Sequence, residues 1–369
     1  MTIYFFTIIL LFVFSLLEEN YKISNGLKNG MMLISFTLLV LQVGLRWETG
    51  TDWDTYLRHF ESFSGVISVV LGEFVFEYGY GISVWLFKLL SSNYSIFLLL
   101  HAIIYYILIY KSFKHFMPNM HLTLLMYYTL SIGMMGSNRQ LIALAICIYA
   151  VRFVMEKKTV LFFLLIIIAS FFHTTAIFFI IYYFLNRKID PVVVGLILVS
   201  AIIIGKAKFP FIVFSSVGNL FGGMISFRAT SYAENAKDIL LEHSLSTIGL
   251  IKRLVFFFFF YYNRKQLSAK LAYYNLMLNG YFVGIVVYFL FADSLLIIVN
   301  RGSLYFNIME PLLIASQIYL LKDKTKILGI LIMLIMSIFF FYQSISLYPE
   351  IFEPYKGIFI NSDIHRTMR

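Results

Sequence analysis

The chain has 369 residues, 60% of them hydrophobic and only 13% charged, with a net charge of +10 and a mean hydropathy of +0.85. A water-soluble domain carries about 25% charged residues, so this much apolar side chain exceeds what one aqueous core can enclose, and a soluble enzyme is excluded. The positive charge does not mark a nucleic-acid partner, because Lys and Arg stand in short groups between apolar runs, as membrane-orientation signals do.

In chain order, the N-terminal MTIYFFTIILLFVFSLLEEN lacks a basic n-region and a small-residue cleavage site and reads as a retained first span. A span takes about 20 apolar residues. The runs at 2–17, 31–45, 95–110, 121–136, 139–155, 159–171, 174–186, 190–205, 247–262, 271–292, 302–321 and 327–343 predict an all-α polytopic membrane protein. About 12 (11–14) transmembrane helices are expected, some short or re-entrant, in a single bundle over 1–369. A shorter apolar stretch at 78–91 re-enters or lies on the surface. The run from Val160 to Leu185 reads as a hairpin of two short helices turning at FFHTT, around His173. The single cysteine, Cys147, rules out an intramolecular disulfide and reads as a small buried hydrophobe.

Placing the N-terminus outside puts Lys22 and Lys28, Lys111 and Lys114, Arg152 with Lys157 and Lys158, Arg187 and Lys188, Arg264 with Lys265 and Lys270, and Lys322 with Lys324 and Lys326 in short inner loops. This is the positive-inside pattern. The extracytoplasmic parts are then loops 46–77 and 206–246 and the tail 344–369. The segment 206–246 is too long for a plain connection, and its last part reads as an amphipathic surface helix.

Ionisable residues at span edges are functional candidates by default. Here they are Arg46, Asp52, Asp54, Glu77, Arg139, His173, Arg228, Asp293, Arg301 and Glu310. Most fall at the outer helix ends of this topology. Single Arg residues there suggest anion binding, since a guanidinium clamps phosphate oxygens bidentately and stays charged at any local pH. Snorkelling to lipid headgroups is the plainer alternative. Asp52 in GTDW suits a general base, an Arg brace or a turn residue. His173 suits a base or a phosphate donor, or a structural contact between helices. Glu77 in FEYGYG is similar. Trp47, Trp53, Tyr56, Tyr78 and Tyr80 form an interfacial belt or stack on sugar rings. No Walker A, GxSxG, HExxH or zinc-ligand spacing occurs, and neither a metal site nor a cofactor is expected.

LRWETGTDWDTY resembles the Arg, Gly-Thr-Asp-aromatic, Tyr signature of the EpsG family of Wzy-type polysaccharide polymerases. NRQLIALAICIYAVRF resembles that family's Arg-Gln-x-Ile-Ala helix, and ASFFHTTAIFFIIYYFLNRK its Phe-His-x-(Ser/Thr)-Ala segment. NRGSLYFNIMEPLLIAS is similar to its Arg-x-x-x-Tyr-Phe helix, and PYKGIF to its C-terminal Pro-Tyr element. The matches run in family order from residue 46 to 359.

The resemblance implies a metal-independent glycosyltransferase of O-antigen or capsule assembly. It would transfer the growing glycan from undecaprenyl diphosphate to the non-reducing-end sugar of a lipid-linked repeat unit, at the outer face of a bacterial inner membrane. Carried over by position, Arg46, Arg139 and Arg301 bind diphosphate. Asp52 and His173 activate the acceptor or order the Arg side chains. Trp53, Tyr56, Glu77, Arg228, Tyr305 and Tyr355 contact diphosphate or sugar. The implied partners are the undecaprenyl-diphosphate-linked oligosaccharide, membrane lipid, and a chain-length regulator and flippase of the same pathway. An O-antigen ligase would carry a larger outer domain, and a membrane acyltransferase a donor path from the cytoplasm. A glycolipid flippase would line both halves of a central path with charge, whereas here the charges gather on one side.

Overall fold

The computed structural model describes residues 1–20, 23–63, 65, 76–213, 216, 247–295, 298–364 and 366. Among them there is no strand, only isolated bridges of Gly357 to Arg46 and to Ile360. The chain is an all-helical polytopic membrane protein. Among the described residues, six helices are long and apolar enough to cross a bilayer, at Thr2–Glu19, Asn25–Gly44, Tyr94–Phe116, Asn138–Met155, Tyr274–Phe291 and Thr325–Ile345. Contacts group the chain into two compact units, Met1–Ile177 with Ile314–Arg369, and Phe178–Leu313.

The first unit holds α1 (Thr2–Asn20), α2 (Asn25–Gly44), α3 (Trp53–Ser62), α4 (Tyr78–Lys88), α5 (Tyr94–Phe116), α6 (Met120–Ser131), α7 (Asn138–Met155) and α8 (Thr159–Phe172). α2 starts ahead of its apolar run because the Ser24 hydroxyl caps the Leu27 N–H, letting a polar first turn extend the helix. Asn93 and Asn119 cap α5 and α6 in the same way. α7 lies at the centre, packed between α5 and α8. Its Ala143, Ala145, Cys147 and Ala150 are fully buried, and small residues there allow close helix approach. α1 and α6 pack with the last long helix, which is numbered below.

The second unit holds α9 (Pro191–Lys206), α10 (Thr247–Tyr262), α11 (Arg264–Lys270), α12 (Tyr274–Phe291) and α13 (Leu304–Asn307). Asp190 caps α9 and Pro191 opens it, the position where a missing N–H costs nothing. α12 packs against both α9 and α10. α14 (Glu310–Ser316) returns the chain to the first unit, where α15 (Asp323–Ile345) completes it.

One sequence expectation changes. The run 302–321 is not one span. It is a π turn at Ile298–Gly302, the short α13 and α14, and a 3-10 turn at Gln317–Leu320. Pro311 has no N–H to give the preceding turn. Ser303 turns its hydroxyl back onto the Val299 carbonyl, 2.5 Å away, and Asn307 donates to Ser303. Polar groups in this apolar run therefore satisfy one another locally instead of continuing a helix. The run 160–185 does break within FFHTT, at His173, whose backbone is extended (φ −154°), and it resumes as a 3-10 helix at Thr174–Phe184. Of segment 206–246, only 206–213 and Ser216 are described, so Arg228 and the expected surface helix lie outside the described residues, as does Lys22.

The two ends of the first unit differ. At one end α1, α6 and α15 meet through Glu19, which accepts from Lys326 (2.7 Å) and Asn119 (3.2 Å), while Glu18 meets His121 Nδ1 at 2.9 Å. At the other, the ends of α2, α6 and α15 and the start of α7 converge. There Gly133 N donates to Ser344 Oγ (2.9 Å), Thr51 N to the Met135 carbonyl (2.9 Å) and Gly50 N to the Ile351 carbonyl (3.1 Å). Most of the candidate residues stand at this second end.

Candidate functional site

The loop from Leu45 to Asp52 leaves α2 and is held by backbone on two sides. On one side Trp47 N donates to the Lys356 carbonyl and Ile358 N to the Leu45 carbonyl, both at 3.0 Å. On the other, Gly50 (φ 93°) and Gly136 (φ 114°) let this loop and the α6–α7 turn touch; a Cβ on Gly136 would sit 1.9 Å from the Thr51 carbonyl oxygen. Both φ values belong to glycine. Asp52 follows in the left-handed region (φ 56°), exposed, and starts α3 without capping it by its side chain.

Arg46 is 1% exposed. Its guanidinium donates to the Val43 carbonyl (2.5 Å) and to Asn138 Oδ1 (2.6 Å) and lies 5.8 Å from the Trp53 ring centre. No carboxylate pairs with it among the described residues. The group expected to face a phosphate is thus enclosed, and it braces Asn138, the residue just before Arg139. Asn138 is fixed further by His101, whose Nε2 meets the Asn138 carbonyl at 3.0 Å.

Arg139 is the centre of the cluster. Its Nε donates to the Tyr56 hydroxyl at 3.0 Å, its Nη1 pairs with Glu77 Oε2, and its guanidinium stacks on Phe76 at 4.0 Å. The other Glu77 oxygen accepts from the Thr174 N–H (3.2 Å) and hydroxyl (3.4 Å). One carboxylate therefore ties the start of α7 to the chain just after His173. Arg139 and Glu77 both remain partly exposed. His173 is buried, with Nδ1 2.7 Å from the Thr175 hydroxyl. Trp53 packs edge-on to Trp47 and Tyr94. Burial raises the Tyr56 hydroxyl above its ordinary pKa, and Asp52 adds to this while Arg139 opposes it. His59, one turn along α3, is pushed down to about 4 by burial and by the nearby Arg139 and Lys88.

Arg46, Asp52, Trp53, Tyr56, Glu77, Arg139 and His173 thus belong to one unit and one end of its helices. Tyr355 belongs there too, buried, with its hydroxyl donating to the Gln42 carbonyl (2.7 Å). Arg301 and Tyr305 are in the second unit. Arg301 is exposed in the π turn, and Tyr305 is fully buried with its ring 6.5 Å from Phe179. No group of three or more His, Cys, Asp or Glu that would hold a metal occurs among the described residues.

A family model described as "EpsG family" matches residues 29–356. The chain belongs to the EpsG family. This family includes Wzy-type polymerases, and the protein is accordingly of the membrane polysaccharide-polymerase type. No curated protein and no solved structure matches it. The EpsG match takes in the whole Arg46–Arg139–His173 region and reaches the lysine of PYKGIF.

Sequence reasoning missed three members of this cluster in the EpsG-family chain. Asn138 was hidden beside the more conspicuous Arg139. His101 sits in mid-helix with nothing local to mark it. Lys356 is 1% exposed and pairs with Glu48 Oε2 at 2.5 Å, while its backbone exchanges two hydrogen bonds with the Thr49 hydroxyl. The only signal for that pair was a glutamate beside Trp47 and a lysine in a tail otherwise read as solvent-facing.

Proposed function

We propose that the protein is a repeat-unit polymerase that moves a growing glycan from undecaprenyl diphosphate to the non-reducing-end sugar of a lipid-linked repeat unit, at the outer face of the bacterial inner membrane. The observation that carries this reading is Arg139. Its guanidinium is aimed by Tyr56 and Glu77 and held flat by Phe76, yet keeps solvent access. An oriented guanidinium on rigid helix ends is what a diphosphate leaving group needs.

In this reading the acceptor hydroxyl oxygen forms a bond to the anomeric carbon as the bond from that carbon to the diphosphate oxygen breaks. The electron pair leaves with the diphosphate, and Arg139 stabilises the charge that develops there. The acceptor proton passes to a base. Asp52 is assigned that role, since it is exposed and lies within electrostatic reach of Tyr56, while the bracing of Arg139 falls to Glu77 and Tyr56. His173 lies next to the Glu77-bound Thr174 and orders that edge. Arg46 acts through Asn138 as a positioning residue. The diphosphate-binding role of Arg301 rests on its match to the family's Arg-x-x-x-Tyr-Phe motif alone, and Trp53 and Tyr355 shape the sugar-facing wall. The outer-face placement is supported by the Lys and Arg groups at opposite helix ends.

The test is polysaccharide chain length in cells that depend on this protein. Arg139→Ala and Arg301→Ala should remove long chains while leaving single-repeat glycolipid and normal membrane insertion. Full ladders from both variants would overturn the diphosphate role. Loss of the single-repeat product as well would point to a flippase.

A further inference from the structure

In the second unit, a cavity of about 910 Å³ opens among the loop before α9, the end of α10, α11 and the start of α12. Three cations line it, Lys188, Arg264 and Lys265, together with Phe258, Tyr261 and Tyr262. No carboxylate is among the described lining residues. The nearest acid on the loop, Asp190, caps α9 by accepting from Val192 N at 2.8 Å. The walls are built. Tyr261 donates to the Ile189 carbonyl (2.8 Å), Asn279 donates to the Leu185 and Arg187 carbonyls (2.7 and 2.6 Å), and Arg264 lies 3.6 Å over the Tyr261 ring centre. Three like charges thus stand around one opening, at the same helix end as the start of α9 and away from the Lys206–Asp293 pair at the other end.

The surface leading into the cavity is apolar and uncovered. Ile251, Val255, Phe258 and Tyr262 follow one another at helical spacing along α10 and are all more than half exposed, Tyr262 at 86%. A free phosphate would use the cations and leave this stripe idle. A molecule with a phosphate at one end and long apolar chains at the other would use both. Basic pockets at helix ends on the cytoplasmic side suit anionic lipid headgroups, and the loop before α9, with Arg187 and Lys188, and α11 carry the Lys and Arg that mark that side.

We propose that this cavity binds one anionic phospholipid of the phosphatidylglycerol type, with its phosphate among Lys188, Arg264 and Lys265 and its acyl chains along the α10 stripe. The site shares no residue with the Arg139 cluster and does not depend on the polymerase reading.

The test is native mass spectrometry of the full-length protein in detergent, titrated with dioleoylphosphatidylglycerol or dioleoylphosphatidylcholine. The wild type should retain one phosphatidylglycerol in preference to phosphatidylcholine. Each of Lys188→Gln, Arg264→Gln and Lys265→Gln should weaken that retention on the order of fivefold, the worth of one basic residue near an anionic surface. Lys188→Arg should restore it, which controls for folding. Phe258→Ala should weaken the lipid without creating a preference for phosphatidylcholine. Equal retention of both lipids by the wild type, or unchanged retention by the Gln variants, would overturn the proposal. Displacement by inorganic phosphate at concentrations matching the lipid would overturn it as well, since the ligand would then be a soluble anion.

Discussion

Glu77 is the residue on which the cluster's geometry turns. Its two oxygens serve different elements, Arg139 at the start of α7 and Thr174 after α8. Glu77→Gln keeps the size but weakens the hold on the guanidinium, so turnover should fall roughly 100-fold, the scale of a small misplacement at a reacting centre. A polymerisation assay with saturating lipid-linked repeat unit would detect it, and an unchanged kcat would refute the positioning role. His59 gives a pH prediction. Its folded pKa of about 4 lies below the unfolded value of about 6.5, so the unfolded chain takes the proton first. The stability tied to neutral His59 is therefore full above about pH 6.5, is lost as pH falls toward 4, and is flat below that. Protection factors of the α3 amides, taken relative to intrinsic exchange at each pH, should fall over that window, and His59→Gln should flatten the slope. At this scale the sequence was legible where a charge interrupted an apolar run, as with Arg139 and Glu77. It was illegible where the partner was an ordinary amide, as with Asn138, because nothing in a single chain shows which amide meets a buried guanidinium. The Glu18–His121–Ser35 chain shows the opposite hazard. It has the order of a hydrolytic relay, with His121 Nε2 3.3 Å from Ser35 Oγ. Yet Ser35 and His121 are buried and the Ser35 hydroxyl donates to the Met32 carbonyl at 3.1 Å, so it reads as a polar strut between helices.

At the scale of elements, apolar runs located helix cores well and helix ends poorly. A run measures hydrophobic thickness, and the helix goes on wherever a cap such as Ser24 or Asp190 satisfies its first N–H groups. The failure at 302–321 has the same root, since hydropathy does not register that Pro311 and a self-bonded Ser303 break the backbone pattern. The contact between the loop after α2 and the α6–α7 turn is the element most sensitive to one added atom. Gly136→Ala should destabilise the protein by at least about 2 kcal/mol, through both the positive φ and the overlap with the Thr51 carbonyl. Thermal unfolding in detergent would check this, and Gly195→Ala, where nothing lies near a new Cβ, is the matched control with little or no loss.

Across the whole molecule, composition and charge grouping were enough for the membrane class and the helical fold, because both rest on sums over many residues. The return of the tail was not legible, since residues 351–366 are polar and mixed. The structure ties Lys356, Ile358 and Arg366 back to the loop after α2, with Arg366 reaching the Ile351 carbonyl (2.8 Å) and the Thr49 hydroxyl (3.0 Å). Lys356→Met should cost about 3 kcal/mol, the low end for breaking a buried pair, because Glu48 keeps some solvent. A fall in Tm that Glu48→Gln largely rescues would confirm the pairing, and no fall would refute it. This stitching also sets an order of events during synthesis. The backbone of Trp47 takes its partner from Lys356, a residue made some three hundred codons later. Until that stretch has left the ribosome, the wall carrying Arg46 and Asp52 has only the α6–α7 turn to pair with, so a partly made chain in the membrane holds its helices but lacks one side of this wall.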